Sequence, residues 1–220
     1  MSEASPRRAL IVIDVQNEYV DGNFRITYPP VESSLSNIAA AIDAANANGV
    51  PVVLVRHVLP ASAPIFAEGS AGAALHASVA ERPHDLVVDK VLPSVFSAAG
   101  FEDWLTEYAV DTLTVVGYMT HNCNDATMRE AMHKGYRVEF LPDAAGSLPY
   151  ENKAGHASAE EMHRIVTIIM ESAYAATMQT REWVENLRHP RHVAGDNIYD
   201  SNRRAVGTLS SAVRQSSDIT

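Results

Sequence analysis

A parallel α/β sheet is the fold this sequence predicts, and two observations carry it. Short runs rich in Val, Ile and Leu recur without polar alternation, as strands buried on both faces require. Helix-length stretches separate them, and strand–helix alternation of this kind implies right-handed crossovers within one sheet. At 220 residues, with 46% apolar and 20% charged residues, the chain is within the range of one α/β domain and can bury a large core.

The strand runs cover residues 9–15, 51–56, 85–88, 112–117, 137–141 and, more weakly, 175–180, which makes six. Residues 36–48 form the first crossover helix, alanine-rich, preceded by serine cap candidates and stopped by Gly49. Residues 98–108 and 124–134 supply the next two crossovers, the second closed by Gly135, and residues 159–170 a late helix. Residues 59–83, rich in Ala, Ser, Gly and Pro, read as a long loop with helical turns, and loops of that length are often functional. The organisation is a single domain over residues 1–190, then a polar tail or exchanged arm over 191–220. The last stretch of that tail, 208–220, reads as disordered or partner-dependent.

A formal charge of −10 disfavours a nucleic-acid footprint. Residues 1–8 lead into an apolar run too brief for a signal core, and no stretch approaches the roughly 20 apolar residues that span a bilayer. One cysteine excludes an intrachain disulfide and CxxC motifs, so a reducing cytoplasm is the expectation.

That cysteine, Cys123, follows the apolar run 112–117 and precedes a helix-like stretch, where backbone N–H groups would stabilise a thiolate. Its neighbours Thr120, His121, Asn122, Asn124 and Asp125 are polar, a poor setting for a packing residue. In an open parallel sheet ligands bind beyond the carboxyl ends of the strands. Asp14 follows the first strand there, Lys90 the third and Cys123 the fourth, so a carboxylate, an ammonium and a thiol converge on one rim. A thiol with an ordinary pKa of about 8.5 needs a proton acceptor and a stabilising cation to attack at neutral pH. Asp14 and Lys90 are those two groups, and the chemistry requires neither metal nor cofactor.

Three blocks carry a family resemblance: Asp14 within Ile11-Val12-Ile13-Asp14-Val15-Gln16-Asn17, Lys90 before Pro93-Ser94-Val95-Phe96, and Gly117-Tyr118-Met119-Thr120-His121-Asn122-Cys123 leading to Ala126-Thr127. With Gly135-Tyr136-Arg137-Val138 and Asp143-Ala144, they make residues 8–180 resemble the isochorismatase-like cysteine hydrolases. The resemblance implies a three-layer α/β/α fold around a six-stranded, mostly parallel sheet, with an Asp14-Lys90-Cys123 triad. It implies a cis peptide before Met119 that turns the Met119 N–H beside the Cys123 N–H as an oxyanion hole. It also implies attack of Cys123 on an amide-type carbonyl, a thioester, and a homo-oligomer, dimer or tetramer.

Nicotinamidases of that family carry an Asp-x-His-Pro-x-x-His metal site after the second strand; this chain reads Arg56-His57-Val58-Leu59-Pro60-Ala61-Ser62, so no metal site is expected. A thiol at position 123 favours C–N hydrolysis of an amide, carbamoyl or ureido compound. The alternatives are isochorismatase-type vinyl-ether hydrolysis and a catalytically silent binding module. Gln16, Tyr19, Phe24, Tyr28, His57, Phe96, Tyr118 and Tyr150 lie on the segments expected around the pocket, where an aromatic wall suits a small planar substrate. Arg25 and Arg56 are candidates for a substrate carboxylate. Asn124 stands where a valine usually follows the cysteine, a departure that bears on helix packing or pocket polarity.

Overall fold

The computed structural model describes residues 5–217. In chain order it contains β1 (Arg8–Ile13), α1 (Asn17–Val20), α2 (Val31–Ala47), β2 (Val52–His57), α3 (Ala77–Ala80) and β3 (Leu86–Lys90). A 3₁₀ turn (Val95–Ser97), α4 (Phe101–Glu107), β4 (Thr112–Tyr118), a π-helical turn (Thr120–Asn124) and α5 (Asp125–His133) follow. β5 (Arg137–Gly146), β6 (Tyr150–Asn152), β7 (Gly155–Ala157), α6 (Ala159–Ala173), β8 (Ala176–Thr177), α7 (Thr180–Arg188) and α8 (Ile198–Ser217) complete it.

Six strands form one sheet in the order β3-β2-β1-β4-β5-β8, with every pairing parallel. The central β1 is buried along its whole length, and its alternate residues feed two cores. Leu10 and Val12 pack with Ile38, Ile42, Trp183 and Leu187 of α2 and α7. Ile11 and Ile13 pack with Phe101, Leu105, Met128 and Met170 of α4, α5 and α6. These are the three α/β/α layers. The strand order reverses between β1 and β4, which opens a crevice at their carboxyl ends, and that crevice is where Asp14 and Cys123 stand.

Edges depart from the sequence reading. β3 is an edge strand with Val87 and Asp89 exposed, and β8 keeps only two paired residues because Thr180 already opens α7 behind a Gln179–Glu182 capping box. α2 begins at Val31, with Pro30 in the N-cap place, so the serines read as caps lie inside the helix. The small antiparallel pair β6–β7 carried no signal in the sequence. In the tail, residues 198–217 are helical, with Ile198, Tyr199 and Val206 exposed, and residues 218–220 lie outside the described residues. Among the described residues no helix is long and apolar enough to cross a membrane.

Opposite the crevice, the buried side chains of Arg8 and Glu139 lock β1 to β5 across β4. Arg8 Nε and Nη2 donate to Glu139 Oε2 and Oε1 at 2.9 and 2.7 Å, and Thr114 and Trp183 donate to the same carboxylate. Breaking a buried pair leaves an uncompensated charge, so Glu139→Ala is expected to cost about 3–5 kcal/mol. Urea unfolding monitored by tryptophan fluorescence checks this, and an unshifted midpoint would refute it.

Candidate active site

Asp14 sits one residue beyond β1 with φ of 52°, a left-handed conformation that Asp tolerates better than most residues, and its N–H is held by the Val55 carbonyl at 3.0 Å. On the neighbouring strand Gly117 is paired with Ile13 and has φ of 101°. A Cβ there would lie 2.1 Å from the Ile13 carbonyl oxygen, so only glycine lets β4 run this close to the strand end that carries Asp14. The Tyr118–Met119 peptide is cis, and the π-helical turn that follows sets Cys123 back over the crevice. Asn124 is buried and donates its amide to the Gly117 carbonyl at 2.9 Å. It therefore braces the turn from within, which answers its departure from the usual valine.

Lys90 ends β3, two strands away, and its side chain is fully buried. Its Nζ donates to Asp14 Oδ2 at 2.7 Å, to His57 Nδ1 at 3.3 Å and to Cys123 Sγ at 3.3 Å. Asp14 Oδ1 is buried without a hydrogen-bond partner, and the Cys123 sulfur lies beside the carboxylate, their donor atoms within 4.8 Å. Burial raises the Asp14 pKa more than Lys90 lowers it. Burial and then the Asp14 carboxylate push the Cys123 thiol well up, against the opposing pull of Lys90. Desolvation and the adjacent carboxylate favour the protonated sulfur, opposing the thiolate that a helix N-terminus would stabilise. Asp14, His57 and Cys123 also have donor atoms within 4.8 Å of one another, the spread of a small cation site, and the Lys90 nitrogen stands among them.

The aromatic residues divide. Tyr19 is buried with its ring against Phe24, Phe66 and Tyr118, and its hydroxyl lies within the electrostatic reach of Asp14 and Cys123. Tyr150 meets His121 edge-on at 4.9 Å and lies within the electrostatic reach of Cys123. Tyr118 is fully buried behind Tyr19, its hydroxyl 2.7 Å from Ser34 Oγ of α2. Tyr28 packs on His163, which hydrogen-bonds Thr120. Phe96 does not join this group. It packs on Phe101 and Tyr136 with the Lys134 ammonium over its face, because the 3₁₀ turn swings it onto the α4 side of the sheet.

Gln16 is buried and spends its amide inside the protein, donating to the His57 and Ala73 carbonyls and accepting from the His57 N–H. Arg56 is committed to Asp89 in a two-point pair, and Arg25 donates to the Asp21 and Gly22 carbonyls. Phe66, from the long 59–83 segment, was missed, since nothing in a loop's composition tells which residue folds inward. In the sequence His121 reads only as a polar neighbour of Cys123. Its position two residues before Cys123 was the available signal.

Residues 8–180 match the family model described as the isochorismatase domain. The uncharacterized isochorismatase family protein YddQ of Bacillus subtilis is 30% identical over 80% of this chain and 98% of its own length. Ureidoacrylate amidohydrolase RutB of Methylobacterium radiotolerans is 26% identical over 75% of this chain and 73% of its own. A solved structure from Burkholderia xenovorans LB400, assigned to the isochorismatases, superposes with a TM-score of 0.93 at 53% identity, covering 94% of this chain and 100% of that one. A domain match over that span, on a sheet of this order, means that the chain belongs to the isochorismatase family of hydrolases.

Proposed function

We propose that this chain hydrolyses a C–N bond of a small amide, carbamoyl or ureido compound, with Cys123 as nucleophile and Asp14 as the proton carrier. The observation that carries this is the single buried ammonium of Lys90, 2.7 Å from the carboxylate and 3.3 Å from the sulfur. It keeps both groups in register and offsets the negative charge that passes between them.

Asp14 Oδ1 takes the thiol proton as Cys123 Sγ bonds to the carbonyl carbon. The oxyanion that forms is received by the N–H groups of Met119 and Cys123, on the turn at the end of β4. The C–N bond then breaks, protonated Asp14 gives its proton to the leaving nitrogen, and a thioester remains. Water, deprotonated by Asp14, attacks that thioester and restores the thiol. Losing one oxyanion donor costs about 10²–10³ in rate in comparable sites, so the turn has little freedom to shift.

The ureidoacrylate amidohydrolase relative supports the C–N class, and the Tyr19, Phe24, Phe66 and Tyr150 wall suits a small planar substrate. A lone working thiol fits a reducing cytoplasm. An ammonia-release screen across small amides and ureido acids tests the proposal. The expected result is one ammonia per acid formed from at least one compound. Turnover of an isochorismate-type vinyl ether that survives Cys123→Ala would replace it with ether hydrolysis.

A further inference from the structure

Around the Lys90 ammonium one group is left without a task in that chemistry: the imidazole of His57. An ammonium has three N–H donors and no acceptor, so His57 Nδ1 at 3.3 Å carries the lone pair and its proton sits on Nε2. Three donors thus meet three acceptors, from the ends of β1 and β2 and from the turn after β4.

We propose that His57 is a positioning residue whose Nδ1 accepts the third Lys90 N–H and so fixes the ammonium between the Asp14 carboxylate and the Cys123 sulfur. This rests on the reading of Cys123 as the nucleophile. A lysine ammonium is a compact charge on a flexible four-carbon stem, so two contacts leave it room to tilt toward one partner at the expense of the other. The third contact comes from a different strand and removes that freedom. It also accounts for the clustering of Asp14, His57 and Cys123 donor atoms within 4.8 Å, the spread that suits one cation.

His57 is itself immobilised. Gln16 clasps it on both sides, accepting from its backbone N–H at 2.9 Å and donating to its carbonyl at 2.8 Å. Phe66 meets the ring edge-on at 5.6 Å. The role needs a neutral ring, and burial first, then the Lys90 charge, lower the His57 pKa to about 4. The charged or titratable groups facing it are Lys90 of β3, Asp14 beyond β1 and Cys123 of the turn, while Gln16 and Phe66 are uncharged. Arg56 and Asp89, the next residues along their strands, pair with each other.

The test is the rate of Cys123 alkylation by iodoacetamide against pH, which needs no substrate. It compares the wild type with His57→Ala, His57→Phe and His57→Asn. Phe keeps a ring against Phe66 without an acceptor, and Asn puts its amide oxygen near the place of Nδ1. The Ala and Phe variants are expected to react roughly ten- to hundred-fold more slowly at a given pH, with profiles moved to higher pH, and Asn to recover to within about threefold of wild type. Should Ala fail to fold, Phe against Asn carries the comparison. Ala and Phe rates within about twofold of wild type, or an Asn variant as slow as Phe, would overturn the proposal. A chain that shows the expected pattern yet releases ammonia from no amide refutes the proposed activity and leaves the positioning role standing.

Discussion

Cys123→Ser removes ammonia release by about 10⁴–10⁶-fold, the range found when a hydrolase loses its nucleophile, while the unfolding midpoint stays at the wild-type value. The substitution exchanges sulfur for oxygen at a buried position and changes little else. A hydroxyl holds its proton far more tightly than a thiol, and the burial and Asp14 charge that already push the thiol up act on it in the same direction. Asp14 then lacks the basicity to deprotonate it. A coupled ammonia assay with the substrate from the screen measures the loss. Activity within about tenfold of wild type would remove Cys123 from the chemistry and leave Asp14 as a simple proton donor.

Asp14→Asn moves two readouts in opposite directions. Turnover falls by about 10²–10⁴, the usual contribution of a general base, because an amide takes no proton from sulfur. Thiol alkylation at neutral pH rises, because the carboxylate is, after burial, the largest influence holding the Cys123 pKa up, and its removal leaves Lys90 facing the sulfur alone. In the wild type, kcat/KM declines as acid protonates Asp14. The Asp14 pKa is raised by burial, so that decline begins above the ordinary carboxylate value of about 3.9 and is absent from the Asn variant. A variant whose thiol became less reactive as turnover fell would contradict this placement of the proton. Slow alkylation of the wild-type enzyme near neutrality is therefore the expected resting behaviour, and carries no sign of a silent site.

Much of the frame was legible because its signals are local. Non-alternating runs marked the buried strands, and Gly49 and Gly135 marked helix ends, where both take positive φ. Asp14, Lys90 and Cys123 were legible because each lies at or beyond the carboxyl end of a strand, and a parallel sheet brings strand ends together. Phe96 misled because it lies close to Lys90 in sequence, whereas the 3₁₀ turn sends it to the opposite side of the layer. Phe66 gave no warning, since its role depends on how a long loop closes over the rim, and His57 was legible as a rim residue at the end of β2 but not as a partner of Lys90.

By itself, then, the sequence determined a parallel α/β sheet and the chemical types of groups at its rim, since both follow from hydrophobic patterning and from chain order. Only the tertiary structure decided their electrical state and company. Burial and the neighbouring Asp14 carboxylate push the Cys123 thiol up against the pull of Lys90, and the folding-in of β2 supplies His57 as a third partner for Lys90. Those outcomes depend on desolvation and on distances between residues far apart in the chain, which no local pattern records.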